Sequence, residues 1–297
     1  MNQVTLALGF GLVTAAILAL SAVGFSLQFG VSNIFNLAYG DVMTVSAFVA
    51  YAVNVDAHAS IWIAMLAGGA TGAVTSMAIN RFIYVPFLRR GTALFTMVMV
   101  SLAVATIVQN AIQAIAGDSF HSYARLSESS LHFAGMILTP TQLIIIGVAI
   151  LAMIGLHVLL RYTRIGKAMR ATAADAELAR SCGIVTGRVT TIAWGLSGLL
   201  CGIGGVALAL NLASFDFTFG NAFLLVIVAA AVFGSVGQPY GAMVGALVIG
   251  IISEEAAIIS PSLKQVVAFA ILVVILLVRP NGLWRGGFVQ KMSVAAR

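Results

Sequence analysis

Charge is what this sequence most lacks. Only 8% of its 297 residues are Asp, Glu, Lys or Arg, where soluble domains carry about a quarter. A water-facing surface cannot be assembled from so few charges, so one large or two small soluble domains are excluded. Two cysteines, Cys182 and Cys201, neither in a CxxC pair, rule out a disulfide scaffold and a cysteine-based zinc site. Thirty glycines without a strict period exclude collagen. What is abundant is apolar: 61% hydrophobic residues and a mean hydropathy of +1.08. A polytopic membrane protein remains.

A hydrocarbon core about 30 Å thick takes roughly 20 apolar residues per helix, and backbone polar groups in lipid must be bonded within the segment. Apolar runs fall at about 4–28, 37–53, 60–80, 92–116, 142–160, 190–212, 221–235, 240–259 and 264–279. The expected fold is an all-α transmembrane bundle of eight to ten spans, some discontinuous, forming a single domain over 1–297. The first run lacks a charged flank and is too long for a signal h-region, so it reads as a retained span.

The net charge of +6 reports topology rather than nucleic-acid binding, because the cations lie between apolar runs and form no basic patch with interleaved aromatics. Thirteen of fifteen fall in three connections: Arg81, Arg89 and Arg90; Arg161, Arg164, Lys167, Arg170, Arg180 and Arg188; and Arg279, Arg285, Lys291 and Arg297. The alternate connections hold Asp56, Asp118, Glu128, Asp216, Glu254 and Glu255 against only Arg125 and Lys264. By the positive-inside rule the basic connections and the C-terminus are cytoplasmic.

Two stretches interrupt the apolar pattern. Gln28 to Asp41 contains Gly30, Ser32, Asn33, Asn36, Gly40 and Asp41; Phe233 to Gly241 contains Gly234, Ser235, Gly237, Gln238, Pro239 and Gly241. Irregular backbone at membrane depth is tolerated only against protein or a wet cavity, and broken helices in corresponding halves point to a transport pathway. Ser32, Asn33, Asn36, Asp41, Ser235 and Gln238 are therefore the candidate pathway residues; an interfacial turn is the plainer reading of either stretch alone. Glycines four apart, Gly68 with Gly72, Gly198 with Gly202, and Gly237, Gly241 and Gly245, are the candidate helix-packing positions.

Catalytic patterns are missing. The sequence has no HExxH, GxSxG or Walker A motif, and no catalytic residue or metal ligand is assigned. Nothing in it can cradle a nucleotide phosphate, and carboxylates inside spans, the usual mark of an ion-coupled carrier, are few. An ATP-independent channel or carrier is the alternative to a subunit driven by partners.

From Lys167 to Cys182 the longest basic connection is rich in helix formers, with Gly183 placed as a stop. One helix is expected there, suited either to a groove on another protein or to anionic lipid. Glu177-Leu178-Ala179 followed after three residues by Gly183 resembles the EAA loop of permease subunits in ATP-binding-cassette importers. TRIGKAMRATAADAELARSCGIVTGRV is similar to the corresponding loop of the branched-chain amino acid importer family. NIFNLAYGDVMTVSAFVAY, with Asn36, Ala38, Gly40 and Asp41, resembles the start of that family's second span. FGSVGQPYGAMVGALVIGIISE and VVAFAILVVILLVRPNGLWRG resemble its last two. Tyr39, where the family frequently has His, and Gly237-Gln238-Pro239-Tyr240-Gly241 depart from it.

The resemblance implies the shorter type of permease in an inner membrane of a prokaryote, paired with a second permease, two cytoplasmic ATPases and an external solute-binding protein. ATP and magnesium would be held by the ATPases, leaving no cofactor in this chain. It also implies that Arg170, Asp175, Glu177, Ala179 and Gly183, within a loop of about 161–189, couple the chain to the ATPases. The solute would be a branched-chain or other small amino acid, or an amide-like molecule.

Overall fold

The structure is a computed structural model that describes residues 3–124, 131–133, 136–258, 260 and 263–279. The expectations placed on Arg125, Glu128 and the tail beyond Arg279 lie outside the described residues. Nine helices coincide with the nine apolar runs: α1 (Gln3–Ser32), α2 (Tyr39–Tyr51), α3 (Ile61–Ile79), α5 (Leu94–Ala116), α6 (Pro140–Tyr162), α9 (Thr186–Leu212), α10 (Phe219–Phe233), α11 (Pro239–Ala257) and α12 (Leu263–Val278). Among the described residues, six helical stretches are long and apolar enough to cross a membrane, and α10 and α12 are shorter apolar helices. π-helical turns extend α2 over Ala52–Asp56 and α3 over Asn80–Tyr84, after which α4 (Val85–Arg89) follows directly. The connection after α5 carries a small antiparallel hairpin, β1 (Leu131–Phe133) with β2 (Met136–Leu138).

Apolar side chains point outward as well as inward. Phe95, Ile107 and Ile115 on α5, Leu151 on α6 and Leu277 on α12 are all about 70% exposed or more. In water such faces would cost about 25 cal/mol per Å²; in lipid they cost nothing, and this is a multi-pass membrane protein.

The chain divides into two compact units. One comprises Met1–Ser26, Arg125–Ala152 and Leu225–Arg297; the other comprises Leu27–Ala124 and Met153–Leu224. In the first, Gly11 of α1 lies against Ile251 of α11, and Gly250 against Ala15. Thr14 donates to Glu254, which also pairs with Lys264.

The second unit is built on the antiparallel pair α3 and α9. A Cβ on Gly72 would overlap the Gly198 carbonyl oxygen, and one on Gly202 would overlap that of Gly68. Bare backbone at these four positions lets the helices meet where lipid gives no hydrophobic drive. Helix α2 packs beside them, and Gly205 leaves room for the Met43 backbone. At one end of this unit the Tyr123 hydroxyl donates to the Ala47 carbonyl at 2.9 Å. Phe215, which is 1% exposed, stacks among Phe48, Tyr51, Tyr123 and Phe219.

The loop after α6 departs from expectation. In place of one helix from Lys167 to Cys182 there are two, α7 (Arg164–Ala174) and α8 (Ala176–Ser181), broken at Asp175. The cause is local: Asp175 takes an extended φ of −154°, and its carboxylate accepts from the backbone N–H of Glu177 at 2.9 Å and Leu178 at 3.0 Å. A short acidic side chain caps orphan N–H groups better than it continues a helix.

Candidate functional site

The first irregular stretch lies wholly in the second unit from Gln28 onward. Helix α1 stops because Asn33 adopts a left-handed φ of 56° and donates its N–H to the Phe29 carbonyl at 2.7 Å, a conformation Asn tolerates better than most residues. Ser32 turns its hydroxyl back to the Gln28 carbonyl at 2.7 Å. Asn33 is exposed and Ser32 half-buried, so these two pathway candidates act as the helix stop.

Asn36 is 1% exposed, and its side-chain oxygen accepts from the Ala38 N–H at 3.1 Å and the Tyr84 hydroxyl at 2.9 Å. Helix α2 then starts at Tyr39, with Gly40 flat against Gly220: a Cβ there would stand 2.6 Å from the Gly220 oxygen. Asp41 occupies the first turn, where the helix dipole favours a carboxylate. It is fully buried, and neither oxygen has a hydrogen-bond partner among the described residues.

Behind this break lies a polar chain. The Tyr39 hydroxyl donates to the Ser197 carbonyl at 3.4 Å, Ser197 Oγ donates to Gln28 Oε1 at 3.1 Å, and Cys201 Sγ donates to the Tyr39 carbonyl at 3.3 Å. Tyr84, joined to Asn36, lies with its ring centroid 5.0 Å from that of Trp194. Gln28, Tyr84, Trp194 and Ser197 were not among the pathway candidates. Gln28 opens the irregular stretch and Asn80 is an amide at the end of an apolar run, but only tertiary structure links them.

The second irregular stretch lies in the first unit. Ser235 has φ 84° and is 3% exposed; Gly237 has φ 88°. Ser235 donates its N–H to Val232, Gln238 donates to Ser235, and Gly237 donates to Ser26 Oγ, each at 3.1 Å. Gly234 meets Gly241, and Gly245 meets the Ala230 carbonyl, with no room for a Cβ at any of the three. This geometry is a tight reversal between α10 and α11, and Gln238 is half-buried at its end.

The loop residues divide by exposure. Arg170, Asp175, Glu177 and Gly183 are exposed, whereas Ala179 is 4% exposed and turned inward; Leu178, 63% exposed, is an apolar group presented outward, as are Ile165 and Val185. Gly183, at φ 85°, ends α8 with its N–H on the Arg180 carbonyl while Ile184 N–H reaches the Ala179 carbonyl. This pair of bonds is the Schellman arrangement. At the other end Thr163 caps α7 by accepting from Gly166 N–H at 3.0 Å. Gly166 has no room for a side chain against the backbone of Leu159 and Leu160. The loop is thus a compact, well-capped elbow.

Residues 7–276 match the family described as branched-chain amino acid transport system / permease component. The chain belongs to this family. Among its relatives, the high-affinity branched-chain amino acid transport system permease protein LivH of Salmonella typhimurium is 28% identical, covering 95% of this chain and 96% of its own. The corresponding protein BraD of Pseudomonas aeruginosa is 27% identical over the same shares. The ribose import permease protein RbsC of Escherichia coli is 25% identical over 80% of this chain and 73% of its own. Likeness thus extends to a permease named for a sugar. The solved structure titled PsaBC from Streptococcus pneumoniae in complex with Fab superposes with a TM-score of 0.52 at 13% identity, covering 92% of this permease and 91% of that chain, which speaks to fold alone.

Proposed function

We propose that this permease is the membrane subunit of an ATP-driven importer for a small amino acid or amide-like solute, working by alternating access. The observation that carries the reading is the elbow α7–α8. It is capped at Thr163 and Asp175 and stopped at Gly183, and it presents Arg170, Glu177 and Leu178 outward. Through the inward Met169 and Ala179 it is seated on its own chain, so a push on the elbow moves the helices attached to it. A bias between inward- and outward-open states must come from something that binds them unequally. In this proposal that agent is a pair of cytoplasmic ATPase subunits gripping the elbow, with a second permease beside the chain and an external protein delivering solute.

Purification from its native membrane tests this. The ATPases should come with the intact chain and be lost from Glu177→Arg, while the amount inserted in the membrane is unchanged. Intact chain that comes alone overturns the reading.

Asp41 favours a second reading, an ion-coupled carrier, because a buried carboxylate with no hydrogen-bond partner among the described residues is what a carrier keeps inside a span. Purified chain reconstituted without partners would then move solute down a proton or sodium gradient, and Asp41→Asn would stop it.

A further inference from the structure

One carboxylate oxygen joins three helices of the first unit. Glu254 Oε1 on α11 accepts from the Thr14 hydroxyl of α1 at 2.5 Å and from the Lys264 ammonium of α12. Thr14 is 4% exposed; the side chains of Glu254 and Lys264 are 14% and 38% exposed. It is the one salt bridge among the described residues. The backbone is close on the same side: a Cβ on Gly11 would stand 3.1 Å from Ile251 Cα and 3.7 Å from Glu254 Cβ.

Helix energetics do not account for these charges. Glu254 and Glu255 lie in the last turn of α11, and Lys264 lies in the first turn of α12. The helix dipole disfavours a carboxylate at a C-terminus and an ammonium at an N-terminus, so each charge stands at the end that repels it. Static cohesion does not account for them either, because apolar side chains of similar volume hold helices together as well as an ion pair withdrawn from water.

Beside the pair is a spare acceptor. Glu255 Oε1 is buried and has no hydrogen-bond partner among the described residues. Neighbouring Cα atoms are about 3.8 Å apart, so a carboxylate one residue further on falls within the sweep of the flexible four-carbon Lys arm. Consecutive side chains diverge by about 100° around a helix, and a lysine drawn to Glu255 therefore leaves the oxygen that Thr14 shares. On Glu254, Lys264 fastens α12 to α1 and α11 together. On Glu255 it fastens α12 to α11 alone.

We propose that Lys264 is a two-position ionic switch that passes between Glu254 and Glu255, tying α12 to α1 in one state and releasing it in the other. The exchange conserves charge and consumes no proton. A change of state needs an element with two discrete arrangements that a partner can bias, and this triad supplies one. Its use in alternating access rests on the transport reading above; the two positions themselves do not.

The separation of α1 and α12 reads the switch directly. Leu8→Cys and Val273→Cys, both at exposed positions, carry nitroxide labels in a Cys182→Ser background, and the full chain in lipid nanodiscs is measured by double electron–electron resonance. The native switch should give a major short separation and a minor longer one of up to about a tenth of the population. Glu255→Gln should remove the longer separation. Glu254→Gln should make it the major one, a rise of about fivefold or more. In a Lys264→Met background the two glutamine changes should have no separate effects, which a merely structural carboxylate would not produce. Thr14→Val, which cuts only the α1 side of the junction, replaces Glu254→Gln if thermal unfolding shows that variant unfolded, and should also lengthen the separation. Distances that neither glutamine alters, equal shifts from both, or shifts that persist in the Lys264→Met background would each overturn the switch. Neither ATPase nor solute enters this measurement, so failure of the import reading, seen in copurification, is distinct from failure of the switch.

Discussion

Tyr84 and Asn36 are joined by a 2.9 Å hydrogen bond between positions 48 residues apart, and it ties the break between α1 and α2 to the π-helical end of α3. Asn36 Oδ1 serves two donors, the Tyr84 hydroxyl and the Ala38 N–H, so the two partners are unequal. Tyr84→Phe removes one donor and leaves Asn36 still bonded. A loss of about 1 kcal/mol is expected. Asn36→Leu removes the shared acceptor from both buried donors and should cost about 2–3 kcal/mol. Thermal unfolding of the detergent-extracted variants checks the order; equal losses would show that Tyr84, not the Ala38 cap, dominates.

The glycines of α3 and α9 make a sharper contrast. Gly72→Ala and Gly198→Ala each drive a Cβ into the facing backbone, where nothing flexible can give way. Each should lose about 1–3 kcal/mol, the usual cost of overpacking. Gly147 and Gly155 on α6 have nothing within 4 Å of an added Cβ. Alanine there should be neutral or stabilise the helix by up to about 1 kcal/mol. Chain yield and unfolding midpoint of the four variants, measured side by side, test whether close approach rather than glycine content holds the second unit together.

Much of the helical layout was readable beforehand because each helix must bury its own backbone polar groups and therefore announces itself as an apolar run. The break at Asp175 was hidden by the helix formers around it. Ala-Asp-Ala-Glu reads as continuous helix until the carboxylate is seen folded back on Glu177 and Leu178. The stop at Gly183 was legible, because its positive φ is a property of one residue. The chain from Gln28 through Ser197 to Trp194 and Tyr84 was not. Each member is an ordinary polar or aromatic residue in its own helix, and their meeting depends on a pairing of α3 with α9 that hydropathy does not specify. The hairpin β1–β2 gave no alternating signal long enough to read, at three residues a strand.

The elbow should be sensitive at its caps. Asp175→Ala removes the carboxylate that accepts from the backbone N–H of Glu177 and Leu178 and should cost about 1 kcal/mol locally. Gly183→Ala forces a side chain into φ 85° at about 1–2 kcal/mol. Both sites are exposed, so the global fold should survive. Solute uptake should fall several-fold in each, with membrane insertion unchanged by immunoblot. Asp175→Asn or Asp175→Ser, which still cap, should recover most of the uptake. Full uptake in the alanine variants would separate the elbow's shape from coupling.

The two cysteines supply a test of sidedness that needs no engineering. Cys182 is exposed at the end of α8, whereas Cys201 is fully buried in α9 with its Sγ on the Tyr39 carbonyl. A thiol held in packed protein is beyond the reach of a bulky maleimide, so labelling reads Cys182 alone. If the elbow is cytoplasmic, as the six cations from Arg161 to Arg188 predict, an impermeant maleimide should label inside-out vesicles and leave right-side-out cells unmarked. Cys182→Ser should then abolish labelling of the folded chain. Label acquired in intact cells would put the elbow outside, beyond the grip of any cytoplasmic ATPase, and would remove the basis of ATP-driven import by this route.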